Sequence, residues 1–288
     1  MNIAAVRGHF AAMQSRLSCP VCRQPLTLQC NSFKCADNHC FDLAAQNYLN
    51  LAPQKSQAGN KYNAALFQAR RQVFAAGIYE PLLRELSDIC NAYQADNPTE
   101  QYKLLDAGCG EGYFAASLAN LAKLEVLALD LAKSAVQLAG KTYRQDGLYC
   151  LIGDLANLPL PDNSLDIILN LLSPANYREF CRVLKPGGLL IKVMPGADYL
   201  AEVRRLLRVP TQTALAEQQA VNLWRQTFAE TGKTQTIALA YRRPVTPELS
   251  AAFLQMSPLA FNHQTADIAP EQLFSEITID LQIHTAII

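Results

Sequence analysis

The sequence of 288 residues holds equal numbers of basic and acidic residues, 25 of each, and half of its residues are hydrophobic. This composition is sufficient for a packed core, and it excludes both global disorder and a uniformly basic nucleic-acid binder. No apolar run approaches the ~20 residues of a membrane span, and Arg7 and His9 interrupt what would be a signal peptide, so we expect a cytoplasmic protein without a membrane partner.

The neutral total hides a division of the chain into a basic head and an acidic body. Residues 1–80 carry a net charge of +5 and the remainder −5, and five of the nine cysteines lie between Cys19 and Cys40. Such a division indicates two units with different roles, although a merely solvated head fits the charge equally well. The predicted units are an N-terminal extension (1–16), a cysteine-rich domain (17–51), a linker with leading helices (52–100) and an α/β domain (101–288).

The cysteine-rich domain has the spacing of a zinc site. Cys19 and Cys22 form a C-x2-C pair, and Cys35 and His39 form a C-x3-H pair twelve residues later. Zinc needs four ligands in a tetrahedron, which two short loops supply as two pairs. A head of about forty residues buries too little surface to fold alone, so a metal is physically motivated. Disulfides are the alternative, and they are disfavoured in a chain without a secretion signal.

The fourth zinc ligand has an alternative in the next residue. Cys40 adjoins His39 and offers a thiolate at nearly the same place in the chain. We favour His39, because a gap of three residues closes the second ligand pair comfortably.

The remainder of the chain alternates between helix and strand patterns. A polar connector (52–63) precedes the helices, and this alternation predicts parallel βαβ units, a doubly wound sheet and a ligand at the carboxyl ends of its strands. The last strand is predicted to be antiparallel at the sheet edge. The predicted strands cover 25–28, 31–34, 103–107, 126–130, 149–152, 166–170, 189–193, 236–240 and 275–288, and the predicted helices cover 64–76, 79–93, 115–121, 200–229 and 247–255.

Acidic residues and glycines gather where the first three strands of this body end. The first strand runs into a D-x-G-x-G-x-G loop made of Asp106, Gly108, Gly110 and Gly112. Asp130 ends the second strand, where a carboxylate can accept the hydroxyls of a ribose, and Asp154 follows the third. The spacing differs from the G-x-G-x-x-G of dinucleotide sites, and acidic surroundings suit a cation better than a pyrophosphate. We therefore favour S-adenosylmethionine, with a purely structural α/β domain as the alternative.

These motifs resemble those of a known family. The stretch 105–193 resembles class I S-adenosylmethionine-dependent methyltransferases, and the chain from about Ser18 onward, some 270 residues, resembles the 23S rRNA guanine-N1 methyltransferases of the RlmA type. The resemblance implies a Rossmann-like α/β fold preceded by a small zinc-ribbon-like domain. The matching motifs are Cys19-Pro-Val-Cys22, Cys35-x3-His39, Phe41-Asp42, Tyr48-x-Asn50-Leu51, Gln68-Ala-Arg70-Arg71, Ala76-Gly77-x-Tyr79, the loop Asp106 to Tyr113, and Gln255-Met256-Ser-Pro258.

The resemblance also implies an activity and partners. The family methylates N1 of a guanine in 23S rRNA, in the hairpin of helix 35, and we expect position 745 rather than 748. Zinc and S-adenosylmethionine are the implied cofactors, the basic zinc domain is the implied RNA-recognition unit, and a homodimer is the implied assembly.

Residue roles follow from the resemblance position by position. The zinc ligands correspond to the four residues already named, and Tyr79, Gly110 and Glu111 correspond to cofactor contacts. Asp130 and Asp154 correspond to ribose and adenine contacts of the general class. Tyr199 stands where relatives tend to carry a histidine near the cofactor. The expected cofactor residues are therefore Tyr79, Asp106, Gly108, Gly110, Glu111, Gly112, Asp130, Asp154 and Tyr199.

No general base is evident for removing the proton that guanine N1 carries. Asn170 could orient the base edge through its amide, but it is too weak to act as a base. Phe261 is a candidate stacking surface for the base, with ordinary core packing as the alternative. Two other functions stay open: methylation of a small molecule with a structural zinc head, and a zinc-bearing RNA-binding module without activity.

Overall fold

The computed structural model describes residues 2–52, 63–121, 124–209, 213–229, 233–261, 263, 268–269 and 272–288. Most of the predicted connector therefore lies outside the described residues. The described helices are α1 (Ile3–Phe10), α2 (Ala64–Ala75), α3 (Glu80–Asp96), α4 (Tyr113–Leu118), α5 (Lys133–Thr142), α6 (Tyr177–Val183), α7 (Ala201–Leu206), α8 (Thr213–Thr227) and α9 (Pro247–Met256). The described strands are β1 (Thr27–Gln29), β2 (Ser32–Lys34), β3 (Cys40–Ala44), β4 (Tyr48–Asn50), β5 (Tyr102–Ala107), β6 (Leu124–Asp130), β7 (Leu148–Ile152), β8 (Leu165–Leu171), β9 (Leu184–Pro195), β10 (Thr234–Pro244) and β11 (Glu276–Ile287).

The strands form one mixed sheet in the order β1-β2-β3-β4-β7-β6-β5-β8-β9-β11-β10. Six neighbouring strands, from β4 to β9, run parallel, which confirms the predicted βαβ organisation. The chain order reverses between β5 and β8, so the connections from these two strands leave in opposite directions. A crevice therefore opens at their carboxyl ends, where α/β sheets bind their ligands.

Apolar side chains cover both faces of the sheet. Leu82 and Phe253 belong to the core on one face, and Phe10, Phe180 and Trp224 belong to the core on the other. Every residue of β6 except its last is buried, as expected for a parallel strand packed between two layers of helices. Among the described helices, none combines the length and the apolar character needed to cross a bilayer.

The predicted elements lack β3, β4, α5 and α6, and three further parts of the fold differ from the expectations. The last strand, β11, lies between β9 and β10 rather than at the sheet edge, because alternating burial does not reveal how many strands pair with it. The segment 200–229 forms two helices, α7 and α8, instead of one. The extension 1–16, for which no structure was predicted, contains α1, whose Val6 and Phe10 are fully buried.

The cysteine-rich head is continuous with the sheet of the body. Strand β4 pairs in parallel with β7, from Tyr48 opposite Cys150 to Asn50 opposite Ile152. The side chain of Arg16 contacts both carboxylate oxygens of Glu125, at 2.9 and 2.8 Å. Basic residues of the head thus pair with acidic residues of the body, which accounts for part of the charge division in the sequence.

Glu179 on α6 is a second acidic contact between the body and the head. Its Oε2 accepts hydrogen bonds from the backbone N–H of Leu158 and from Nη2 of Arg182, and it lies 3.6 Å from Nη2 of Arg23. Burial alone would raise the pKa of Glu179, but these hydrogen bonds and positive charges outweigh burial and hold the pKa below its usual value. The carboxylate is therefore favoured in the folded state.

We expect Glu179→Gln to lower the free energy of unfolding at neutral pH by about 1–3 kcal/mol, because charged hydrogen bonds are lost. A depressed folded pKa contributes stability above the unfolded pKa of about 4.3, and this stability is lost as the pH falls through the folded value. The difference between wild type and variant should therefore shrink on acidification. Urea unfolding at several pH values measures it, with the exposed Glu276→Gln as control. A difference independent of pH would contradict this account.

Candidate zinc cluster and cofactor cavity

The four predicted zinc ligands meet in the head. Cys19 and Cys22 lie in the turn before β1, Cys35 follows β2, and His39 precedes β3. Their ligand atoms all lie within 4.8 Å of one another. Sγ of Cys22 is 3.6 Å from Sγ of Cys35, and Nδ1 of His39 is 3.6 Å from Sγ of Cys19 and 3.2 Å from Sγ of Cys35. Tetrahedral zinc, with bonds of about 2.0–2.3 Å, separates its ligands by roughly 3.5 Å, so the donor set fits zinc.

The alternative ligand, Cys40, is turned away from this group. Its side chain is exposed, and its Sγ is 3.9 Å from Oδ1 of Asp42. The backbone N–H of Val21, by contrast, points to Sγ of Cys19 at 3.4 Å, as is common where a thiolate binds metal. This geometry favours His39 as the fourth ligand.

We expect His39→Ala to lower the bound zinc well below one ion per chain and to destabilise the head. Cys40→Ser, its matched control, should retain a full equivalent, because Cys40 lies outside the cluster. Metal analysis of purified protein measures the stoichiometry. The reverse result, with zinc lost only from Cys40→Ser, would exclude His39 as the ligand.

The zinc cluster also supports a loop of the body. In the turn that holds Cys19 and Cys22, the backbone oxygen of Pro20 accepts a hydrogen bond from Nδ2 of Asn157 at 2.7 Å. Arg23, one residue beyond the turn, donates to the backbone oxygen of Leu158. Asn157 and Leu158 belong to the loop that follows β7. The turn that holds Cys19 and Cys22 therefore supports a segment at the carboxyl ends of the strands.

A cavity of about 730 Å³ occupies that edge, where the strand order reverses. It is lined by residues of α2, by residues at the carboxyl ends of five parallel strands, β5 to β9, and by residues at the end of α9. Five of the nine predicted cofactor residues line it: Tyr79, Gly108, Asp130, Asp154 and Tyr199. The other four, Asp106, Gly110, Glu111 and Gly112, are not part of its wall and lie in or directly before the glycine loop behind it.

The glycine loop needs glycine for two separate reasons. Gly108 and Gly110 have φ angles of +86° and +56°, in the left-handed region that other residues rarely adopt. A Cβ on Gly108 would also collide with Oγ of Ser173, from the loop after β8. The loop therefore passes close to the cavity only because these side chains are absent.

Asp130 is oriented by the backbone around it. Its Oδ2 accepts the N–H of Gly110 and its Oδ1 the N–H of Ala132, both at 2.8 Å. Each oxygen keeps a further lone pair, so the carboxylate can still accept the two hydroxyls of a ribose. Asp154 is fixed similarly by the N–H of Ala156 at 2.8 Å. The cavity thus offers two preorganised carboxylates to a nucleoside.

Two buried carboxyl groups lie behind the cavity wall. Burial, followed by repulsion from Asp130, raises the pKa of Asp106 to about 8, and burial raises the pKa of Glu111 to about 7. Both carboxylate oxygens of Glu111 are buried without a hydrogen-bond partner among the described residues, and Nη1 of Arg70 is 3.9 Å away. A cationic ligand beside these acids would relieve their repulsion. The residues present therefore fit the amino and sulfonium groups of S-adenosylmethionine.

Two tyrosines face each other in the cavity wall. The hydroxyl groups of Tyr79 and Tyr199 are 2.7 Å apart. Burial raises the pKa of both groups, so both are neutral hydrogen-bonding groups at neutral pH. Their position beside the cavity is consistent with the expected cofactor contact.

The two proposed base contacts lie elsewhere. Asn170 is fully buried and does not line the cavity, and its amide is already bonded to Ala107, Pro174 and Lys192. The fully buried amide gives no support to a role in orienting the target base, and that role stays a prediction. Phe261 is half-buried and packs against the small cluster around Phe67, which agrees with the packing alternative.

Sequence reasoning missed Lys192 on β9, a cavity residue whose amine can bind or stabilise a ligand. A signal was present, because Lys192 is the only charged residue in the apolar run Leu189 to Met194. A lysine within a strand that reads as fully buried needs a polar environment.

The parallel sheet, the glycine loop and the carboxylates after β6 and β7 define a class I S-adenosylmethionine-dependent methyltransferase. In agreement, residues 105–192 match the family model described as a methyltransferase domain. Residues 17–58 match the model described as RlmA, N-terminal, a zinc ribbon. The chain belongs to the family of 23S rRNA (guanine-N(1)-)-methyltransferases of the RlmA type.

Individual relatives give the same family. The 23S rRNA (guanine(748)-N(1))-methyltransferase of Streptomyces fradiae is 35% identical over 71% of this chain and 74% of its own. YxjB of Bacillus subtilis, provisionally named as a 23S rRNA (guanine-N(1)-)-methyltransferase, is 29% identical over 93% of this chain and 96% of its own. The malonyl-[acyl-carrier protein] O-methyltransferase of Serratia marcescens is 36% identical, but over only 45% of this chain and 52% of its own.

We expect Asp130→Ala to weaken binding of S-adenosylmethionine by roughly 10- to 100-fold, the value of hydrogen bonds to a charged group. Asp146→Ala removes an exposed acid and is the matched control. Isothermal titration with S-adenosylhomocysteine measures the affinity without turnover. Unchanged affinity in Asp130→Ala would exclude the ribose contact.

Proposed function

We propose that this protein methylates N1 of a guanine in 23S rRNA, with S-adenosylmethionine as the methyl donor. One observation carries the proposal: a zinc-ligand cluster is joined, through β4 and the loop after β7, to the sheet whose edge holds the cofactor cavity. A methyltransferase for small molecules has no evident need for this head. The similarity over most of the chain to relatives named for rRNA methylation supports the same substrate class.

The bound cofactor would supply an electrophilic methyl group on a sulfonium. In our proposal Asp130 accepts the ribose hydroxyls and Asp154 lies beside the adenine. The buried carboxyl groups of Glu111 and Asp106 stabilise the positive groups of the cofactor from behind the cavity wall, and Tyr79 and Tyr199 form part of that wall. These residues hold the donor in place, so that proximity and alignment supply much of the catalysis.

The acceptor must be unpaired, because pairing in a duplex hides N1 of guanine. A hairpin loop supplies such a base, and family resemblance points to helix 35 and to position 745. We propose this hairpin as the target, with the cytoplasm, where ribosomal RNA is found, as the place of action.

The RNA path is proposed to run from the head to the cavity. Arg16, Arg23 and Arg70 are near carboxylates of the body, so they are less available to phosphates than the sequence suggested. Arg7 and Arg71 are exposed and remain candidates for phosphate contacts. The four units predicted from sequence, with 17–51 as the RNA-recognition domain and 101–288 as the methyltransferase domain, are part of this proposal, as is a homodimer with two heads beside one RNA.

Incubation with labelled S-adenosylmethionine and unmodified 23S rRNA tests the proposal. We expect label on one guanine of the rRNA, recovered as 1-methylguanine after nuclease digestion. The reason is that the RNA-recognition head and the cofactor cavity belong to one protein chain. Fully modified rRNA is the control and should take up none. Label that enters only small-molecule or carrier-protein acceptors from a cell extract would support the alternative methyltransferase, and no transfer at all would support the non-enzymatic module.

A further inference from the structure

Lys192 is a buried lysine at the wall of the cofactor cavity. It lies near the carboxyl end of β9, beside the loop that follows β8, and only 6% of its surface is exposed. In parallel α/β sheets this end of the strands is where ligands react. Its amine is therefore placed where it can reach a bound molecule.

Two of the three N–H groups of this ammonium are held by the protein. Nζ donates to Oδ1 of Asn170 and to the backbone oxygen of Ser173, both at 2.5 Å. Asn170 cannot rotate away, because its Nδ2 donates to the backbone oxygens of Ala107 and Pro174. These two bonds leave the third N–H of Lys192 for the cavity that it lines.

The positive charge of Lys192 is unfavourable in its buried position. None of the described residues places a carboxylate within ion-pair distance of Nζ, and burial lowers the pKa of Lys192 to about 8. His284, opposite Lys192 on β11, offers no negative charge, and burial, followed by the positive charges of Arg225 and Lys192, lowers its pKa. A buried cation without an anionic partner destabilises the fold, and groups of this kind concentrate at functional sites.

We propose that Lys192 donates its third hydrogen bond to O6 of the target guanine and thereby assists the loss of the N1 proton. This inference rests on the proposed function. As N1 loses its proton to water, negative charge spreads onto O6, and a fixed cation stabilises it there. The new bond joins N1 to the methyl carbon, while the carbon–sulfur bond breaks and its electron pair stays on sulfur, which becomes a neutral thioether.

Other groups of the cavity are less suited to this role. Arg70 lies beside the carboxylate of Glu111, so part of its charge is already balanced. Asp130 and Asp154 are acceptors and would repel a developing oxyanion. Lys192 combines a positive charge, a fixed position and an unused donor.

A double-mutant cycle tests the contact without turnover. A hairpin carrying the guanine that the wild type methylates is compared with the same hairpin carrying 2-aminopurine, which lacks O6, with saturating S-adenosylhomocysteine. The replacement should weaken hairpin binding to both proteins. We expect the loss of affinity to be about tenfold larger for the wild type than for Lys192→Met, since a charged hydrogen bond is lost only in the wild type. Contacts to other atoms of the base cancel in the cycle.

Lys185→Met is the matched control. Lys185 lies at the amino end of the same strand, away from the cavity at its carboxyl end, and pairs with Asp166. The 2-aminopurine replacement should weaken hairpin binding to this variant as much as it weakens binding to the wild type. We further expect Lys192→Met to slow single-turnover methylation by about 100-fold, as removal of one oxyanion donor does. Should Lys192→Met fail to fold, as judged by thermal unfolding, Lys192→Gln replaces it, because its amide still reaches a polar partner without a charge.

The outcomes separate the two proposals. A wild type that methylates no guanine in the rRNA overturns both. A wild type that methylates guanine while the 2-aminopurine loss is equal in wild type and in the Lys192 variant overturns only the role of Lys192. A loss confined to proteins that keep Lys192 supports the contact with O6.

Discussion

The parallel pairing of β4 with β7 is the interaction on which the arrangement of this protein depends. It makes the last strand of the zinc head a strand of the catalytic sheet, so the head cannot move independently of the body without breaking backbone hydrogen bonds. The next loop strengthens the connection, because Asn157 reaches back to Pro20 in the zinc turn. Asp154 lies in that loop, so the metal cluster and the cofactor cavity share one supporting segment.

The basic head and the acidic body have complementary charges, and the acidic residues of the body lie in two places. The acids of the body are used twice, at the junction with the head and around the cavity. At the junction, Glu125 and Glu179 pair with arginines of the head. Around the cavity, burial raises the pKa values of Asp106 and Glu111, repulsion from Asp130 adds to the effect, and a positively charged ligand is therefore favoured. Lys192 is a buried cation that lines the same cavity as Asp130 and Asp154.

Local spacing was enough to predict the zinc ligands and the glycine loop. Two ligand pairs separated by twelve residues form a tetrahedral set almost regardless of the rest of the fold, and the alternation of apolar runs with helices indicated a parallel sheet. The roles of single side chains were less accessible. Asn170 looked available in the sequence, but its amide is bonded to Pro174 in the next loop and to Ala107 and Lys192 of two other strands. Lys192 looked like an ordinary strand residue, and only its burial at the cavity wall gave it a possible role.

The spacing of the zinc ligands, the glycine loop and the class of fold were accessible from the sequence, because each depends on residues that are close together in the chain. The tertiary structure decided the order of the strands, with β11 between β9 and β10, and the union of head and body. It also decided which arginines face carboxylates and which polar groups face the cavity. These properties depend on residues that are far apart in the chain, such as Arg16 and Glu125, and no local pattern contains that information.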